Sequence, residues 1–327
     1  MGLINDELEE VRKMCQNVVL DSKLITCVPA MVRIEIRKTD FKQLAACFQF
    51  PSEYPRQIIL LELKSKTLSD KLLEGLVKIC EAEAKKLLGK PQILPLAKFV
   101  SRFLDENPLS CCSAELSRVR REALADGDEL KLKQKTSTVS LSLRCQQYHY
   151  RAHLVVPADY PRERVAVEER SCNLPGPLRR WLTGQAGELA RCCVEPPLRP
   201  PRNAPPFEPR PSLEPVVRFL ATDFRRFPTD VCQHCKKVAL PADPADVVED
   251  GGADLHVERV YCGHLYHFGC LVQYMKTPPF DGGKKCEFCG KRIFHDKYKV
   301  SPQLAEARWA QEQARERELG EVIDFLS

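Results

Sequence analysis

Apolar positions along the first 230 residues fall into two successive runs of the same order. In the first, Leu8, Val11, Cys15 and Val18 recur three and four residues apart, the period of an amphipathic helix. MVRIEIRK places Val32, Ile34 and Ile36 at alternate positions, which predicts a half-buried strand. IILLELK reads as a further strand. Two helices follow, LSDKLLEGLVKICEAEAKKLL and PLAKFVSRFLDE, the second striped by Leu96, Phe99, Val100, Phe103 and Leu104. The order then repeats. CSAELSRVRREAL predicts a helix, and LKLKQK, TVSLSLRC, YHYRAHLVV and RVAVEER predict strands. Leu178 to Cys193 and LEPVVRFLATDF, with Leu213, Val216, Val217 and Leu220, predict two closing helices. FPSEYPRQIILLELKS (Phe50 to Ser65) and VPADYPRERVAVEERS (Val156 to Ser171) share Pro, Tyr-Pro-Arg, a Glu and the final Ser at an offset of 106 residues. The expectation is two copies of one α+β domain, ordered α-ββββ-αα, with helices covering one face of an antiparallel sheet.

Composition narrows the classes. Formal net charge is +5 with 29% charged residues, too slight an excess for a dedicated nucleic-acid surface. No run of about 18 apolar residues exists to span a membrane. MGLINDELEE is acidic and lacks the apolar stretch of a secretory signal. Gly2 is followed by Asp6 where myristoylation needs Ser or Thr. Sixteen cysteines without such a signal point to a reducing compartment, cytoplasmic or nuclear, where Cys pairs at C-x2-C spacing are metal ligands rather than disulfides. Cys15, Cys27, Cys47, Cys80, Cys111, Cys112, Cys145, Cys172, Cys192 and Cys193 are scattered or adjacent and are read as small apolar core residues.

The other six cysteines lie after position 230. They run Cys232-x2-Cys235, 26 residues, Cys262-x-His264-x2-His267-x2-Cys270, 15 residues, Cys286-x2-Cys289. A C-x2-C pair reaches one ion from a tight turn, and a tetrahedral ion takes four ligands. Eight ligands in four pairs therefore predict two zinc ions. The pairing stays open on spacing alone. The central four can fill one site and the outer four the other, or the pairs can interleave. His234, His256 and His295 are left over and read as surface residues.

The first 228 residues, with Tyr-Pro after the third strand, resemble the RWD domain, a relative of the ubiquitin-conjugating fold. The family's usual Tyr-Pro-x3-Pro is incomplete, because Ile59 and Val165 stand at the last proline positions. A conjugating enzyme needs a nucleophilic Cys with an Asn nearby, usually in His-Pro-Asn. That triplet is absent, Cys80 falls in an amphipathic helix and Cys172 ends a strand, so neither copy is expected to be a conjugating enzyme.

The spacing of the tail resembles a RING finger of the H2 type. The nearest rival, the PHD finger, spaces its fourth and fifth ligands wider and carries a Trp where Lys284 stands. The RING resemblance implies two structural zinc ions in interleaved sites: Cys232, Cys235, His267 and Cys270 in one, Cys262, His264, Cys286 and Cys289 in the other. It implies a RING-type E3 ubiquitin-protein ligase with no covalent intermediate and no catalytic residue of its own. Such a ligase binds a ubiquitin-charged conjugating enzyme. By position, the contacts would be His234, Tyr274, Glu287 and Lys291, with Gly290 where a cation often follows the eighth ligand. These departures imply a selective or weakly active ligase; the alternative is a non-catalytic zinc-containing scaffold or adaptor. Tandem RWD-like domains before a RING resemble the architecture of the ligase subunit of the Fanconi anaemia core complex.

The expected boundaries are 1–108 and 109–228 for the two RWD-like domains, 229–300 for the RING and 301–327 for a helical tail. That tail should begin at Ser301 and Pro302, end at Gly320 and dock on the RING through Trp309, the alternative being a partner-binding helix. The acidic PADPADVVEDGGADLH is expected to be a mobile loop, and the Pro-dense 195–215 a semi-rigid connection. The expected partners are a conjugating enzyme, ubiquitin and a protein substrate the sequence does not name, with no membrane or nucleic acid.

Overall fold

The computed structural model describes residues 2–197, 206–294 and 302–326. Helix α1 (Leu3–Val18) leads into strands β1 (Ser22–Val28), β2 (Met31–Thr39), β3 (Lys42–Gln49) and β4 (Leu60–Lys64). They form an antiparallel sheet in that order. Helices α2 (Asp70–Lys85) and α3 (Ile93–Glu106) follow. The alternation in β2 sets the register: Ile34 stands opposite Ala46, and Ala46 opposite Leu63. This face packs with Leu8, Val11 and Cys15 of α1, Leu73, Leu76 and Cys80 of α2, and Leu96, Val100 and Leu104 of α3 in one core. Each such Leu or Ile contributes about 1.5–3 kcal/mol when fully buried.

The order recurs as α4 (Ser113–Glu122), β5 (Glu129–Lys133), β6 (Thr138–Cys145), β7 (Tyr148–Val155), β8 (Ala166–Cys172), α5 (Gly176–Val194) and α6 (Leu213–Arg226). The second sheet is ordered β5-β6-β7-β8. Contacts divide the chain into two compact units. One holds residues up to Ser142 with Arg151–Arg170 and Gln185–Leu220; the other holds Leu143–Tyr150, Ser171–Gly184 and the chain from Ala221 on.

The shared Tyr-Pro element has a physical role that repeats. The buried Tyr54 hydroxyl donates to Glu7 Oε2. Glu7 Oε1 accepts the N–H groups of Gln92 and Ile93, each at 2.7 Å, at the start of α3. In the second copy Tyr160 donates to Glu115 at 2.7 Å, and Glu115 accepts the Glu214 N–H at 3.0 Å at the start of α6. Each carboxylate caps a helix N-terminus whose first N–H groups have no intrahelical acceptor. Burial pushes the Glu115 carboxyl above its ordinary range, against the lowering effect of those hydrogen bonds. Ile59 and Val165 donate their own N–H groups to Gln92 Oε1 (2.9 Å) and Ser212 Oγ (3.1 Å). A proline at either position has no N–H to give.

The C-terminal part carries β9 (Val257–Arg259), β10 (Leu265–His267), α7 (Phe268–Lys276) and α8 (Pro302–Leu326). Three expectations need correcting. Helix α8 runs through Gly320, which lacks the positive φ of a helix-ending glycine. His256 is buried, its ring Nδ1 2.9 Å from the Val248 carbonyl, because it is drawn inward by the loop it closes. That acidic loop is tied down rather than free. Asp243 Oδ1 accepts the Ala245 N–H at 2.9 Å, and the carbonyls of His256 and Asp254 accept the N–H groups of Phe268 (2.7 Å) and Gly269 (2.9 Å) at the start of α7. A Cβ on Gly269 would meet Asp254 at 2.8 Å, so the approach requires glycine. Trp309 is half-buried, and α8 meets α7 at the Lys276–Glu312 ion pair (3.7 Å). His295, Ser301 and residues 198–205 of the Pro-dense connection lie outside the described residues.

Candidate metal centre

Two turns of the same construction carry the C-x2-C pairs. Cys232 N–H donates to Lys237 O (2.8 Å) and Lys236 N–H to Cys232 O (2.9 Å). Cys286 N–H donates to Lys291 O (2.8 Å) and Gly290 N–H to Cys286 O (2.9 Å). The residue after each pair is left-handed, Lys236 at φ 60° and Gly290 at φ 69°. Bridges Val231–Val238 and Lys285–Arg292 close both turns at the same spacing. Gly290 is thus a backbone residue of its turn.

The hairpin β9–β10 carries the central donors. It pairs Leu265 with Arg259 and His267 with Val257, so Cys262 and His264 sit in its tip and His267 at its end. Cys270 follows one helical turn into α7. The donor atoms of Cys232, Cys235, His267 and Cys270 lie within 4.8 Å of one another, as do those of Cys262, His264, Cys286 and Cys289. His267 Nδ1 is 3.4 Å from Cys235 Sγ and 3.9 Å from Cys270 Sγ. His264 Nδ1 is 3.3 Å from Cys262 Sγ and 3.6 Å from Cys286 Sγ. Tetrahedral ligands at Zn–S of about 2.3 Å and Zn–N of about 2.0–2.1 Å stand about 3.5 Å apart, so both sets can hold a metal ion of that size.

The electrostatics agree with a cation. Burial and the neighbouring Cys232 thiol push Cys270 up to about 12. Burial, with Cys286 and Cys289 alongside, pushes Cys262 up to about 11. Burial also acts upward on Cys232, but hydrogen bonds from His267 and nearby backbone N–H groups bring it down to about 6. Thiols this close oppose one another's ionisation unless a positive ion sits among them.

One residue between the sets carried no sequence signal. Tyr266, fully buried, donates to Cys286 Sγ at 3.4 Å and accepts the Glu287 N–H at 3.2 Å. Gln233 N–H donates to Leu265 O at 3.0 Å on the other side. The hairpin thereby links both turns. Such outer hydrogen bonds orient metal ligands and tune them.

Of the four residues placed on the partner face by position, three meet. His234 Nδ1 is 3.2 Å from a Glu287 carboxylate oxygen, and its ring lies 5.9 Å from that of Tyr274. The Tyr274 hydroxyl donates to Lys285 O at 2.7 Å, and Lys284 Nζ lies 4.5 Å from its ring. Lys291 is exposed. Phe288, 71% exposed with its ring centroid 4.7 Å from that of His264 at a tilted angle, is an apolar surface residue that positional carry-over missed. Its signal was an aromatic between two cysteines.

The same compact unit holds Trp181. Arg259 sits 3.8 Å from its ring centroid, and Phe227 meets it edge-on at 5.7 Å. Tyr148 donates to Pro241 O at 2.8 Å. Trp181→Ala should destabilise this unit by about 3 kcal/mol, the lower end for loss of a large aromatic, with metal content unchanged. Thermal melts and metal analysis of the variant check this.

Residues 3–104 match the RWD domain family. An RWD domain opens this chain. Its relation to the ubiquitin-conjugating fold points to a role in protein interaction or ubiquitin conjugation. No curated protein matches the chain. No helix among the described residues is long and apolar enough to cross a membrane.

Proposed function

We propose that the chain is a RING-type E3 ubiquitin ligase, with a second RWD-like domain over 109–228 and a zinc-bound RING over 229–300. The interleaving of the two donor sets supports this reading most: one joins the Cys232–Cys235 turn to His267 and Cys270 at the end of the hairpin and the start of α7, the other joins the Cys286–Cys289 turn to Cys262 and His264 at the hairpin tip. In support of the second RWD-like domain, the Tyr–Glu–helix cap of the first recurs in it. Bound zinc, closed off by four protein ligands at each site, supplies folding energy rather than a reactive position. Cys232, Cys235, His267 and Cys270 would hold one ion, and Cys262, His264, Cys286 and Cys289 the other.

The work of the module is orientation. It holds a conjugating enzyme and its ubiquitin thioester in one geometry, so that attack by a substrate lysine meets a lower entropic barrier. RWD-like domains would hold the conjugating enzyme or the substrate. The partner face is His234, Tyr274, Glu287 and Phe288, with Lys291 at its margin. The His234–Glu287 pair joins the two turns across this face, which makes it more polar than an apolar pair and favours a selective partner.

Tyr274 both packs against the small core and presents its ring. Tyr274→Phe should therefore keep zinc and stability within about 1 kcal/mol, the size of one hydrogen bond, and keep partner binding. Tyr274→Ala should weaken the conjugating-enzyme complex roughly thirtyfold, as for an interface hot spot. Titration calorimetry on both variants reads the difference.

The adaptor reading draws on the polar His234–Glu287 face. Discharge of ubiquitin-charged conjugating enzymes onto free lysine separates the two. On the ligase reading at least one enzyme of a broad panel discharges faster with the wild type than with Cys262→Ala. If none does, the adaptor reading stands.

A further inference from the structure

The face of the first sheet turned away from its helices bears a groove that the ligase reading does not use. Arg33, Glu35, Arg37, Gln43, Ala45, Lys64, Ser65 and Lys66 line it, with a volume of about 510 Å³, within the usual range of about 300–1,000 Å³ for ligand sites. Its floor is low because the middle of β3 is small on this face. Ala45 stands between Glu35 and Lys64 across the sheet. Ala45 and Cys47 are each 7% exposed, covered by the long charged side chains that rise around them. Four cations and one carboxylate line it, and at its margin Glu62 pairs with Lys64 at 2.9 Å and Asp40 with Arg37. Glu35 already pairs with Arg33 at 3.2 Å, yet Arg33 Nε is buried with no hydrogen-bond partner.

This charge is not a requirement of the fold. The burial alternation aligns Val32, Ile34 and Ile36 with Val139, Leu141 and Leu143 of β6. Ser140 and Ser142 then stand where the first sheet has Arg33 and Glu35. The second copy keeps its sheet without those two charges, while Arg144 stands where the first sheet has Arg37.

We propose that this groove binds an acidic, extended peptide segment of a partner protein. Arg33 and Arg37 lie on one face of β2, four residues and about 13 Å apart, with Glu35 midway. An extended chain laid along β2 meets them with carboxylates four residues apart, and meets Glu35 with a hydroxyl or a cation at the position between. Lys64 and Lys66 flank the same path. A nucleic-acid backbone, uniformly charged, brings a phosphate onto Glu35 and fits less well.

The test uses the full-length, zinc-loaded protein and fluorescence anisotropy. The probe is a short labelled peptide with Glu at positions i and i+4 and Ser between them. Its control has the same composition with the two Glu adjacent. Arg37→Ser/Lys66→Ser alters two exposed residues, and Lys66→Glu alone serves should the double variant melt early. The patterned peptide is expected to bind more tightly than its control and to weaken with salt. The double variant should weaken it about tenfold, two exposed charge contacts within their usual range of strength. Lys131→Ser/Lys133→Ser on the second sheet should leave binding unchanged. Absence of peptide binding, binding indifferent to the Arg37 and Lys66 variants, equal weakening by the second-sheet variant, or tighter binding of a single-stranded oligonucleotide of equal charge would each overturn the proposal.

Discussion

Chelation of the metal is expected to unfold residues 231–293 and leave the first sheet intact. The apolar cluster of this region is small: Val260, Tyr266, Leu271 and Ile293 with the ligands Cys232 and Cys286. Structural zinc supplies roughly 10–16 kcal/mol of folding free energy in small finger peptides, which unfold without it, and a cluster this small gives the region no comparable source of order. Hydrogen exchange before and after chelation should show protection lost throughout 231–293. It should also fall around Tyr148 and Trp181, which contact Pro241 and Arg259. Amides of β1–β4 should keep theirs, because their core contains no metal-capable set. Joint loss of protection in β1–β4 would contradict this.

Removal of the buried cap carboxylates should have the next largest effect. Glu7→Ala takes an acceptor from the Ile93 N–H, from the Gln92 N–H, which keeps the Tyr54 hydroxyl at 3.1 Å, and from the Tyr54 hydroxyl, which keeps the Lys90 carbonyl at 3.4 Å. A buried donor left unmade costs about 1–3 kcal/mol, so the total should reach about 3 kcal/mol or more. Glu115→Ala removes the acceptor of Tyr160 and Glu214 and should cost about 2 kcal/mol or more by the same rule. Glu→Gln at either site keeps one oxygen acceptor and should cost less. Urea unfolding of the four variants orders them. Equal losses for Ala and Gln would show that volume, not hydrogen bonding, sets the cost.

The periodicity of apolar residues made both copies legible, because a core face leaves a trace at every third, fourth or second position. The roles of Ile59 and Val165 were not legible. They look like losses from Tyr-Pro-x3-Pro, yet their N–H groups are used by Gln92 and Ser212, residues 33 and 47 positions away in sequence. Composition misread the acidic loop for a related reason. Its contacts to α7 come from the backbone carbonyls of Asp254 and His256, which no residue type announces. In the metal centre, cysteine spacing revealed the donors but left two pairings open. Tyr266 passed as a spacer between histidines, although its hydroxyl reaches Cys286. Gly290 read as a missing cation, whereas its left-handed backbone completes a turn shared with Lys236.

The most direct test of the account is the pairing of ligands to metals. Protein loaded with cadmium-113 reports, through metal–proton coupling, which cysteines and histidines bind each ion. Two resonances are predicted, one coupled to Cys232, Cys235, His267 and Cys270, the other to Cys262, His264, Cys286 and Cys289. A single resonance, or one ion coupled to Cys232, Cys235, Cys286 and Cys289 with the other coupled to Cys262, His264, His267 and Cys270, would contradict the interleaved centre and the ligase reading built on it.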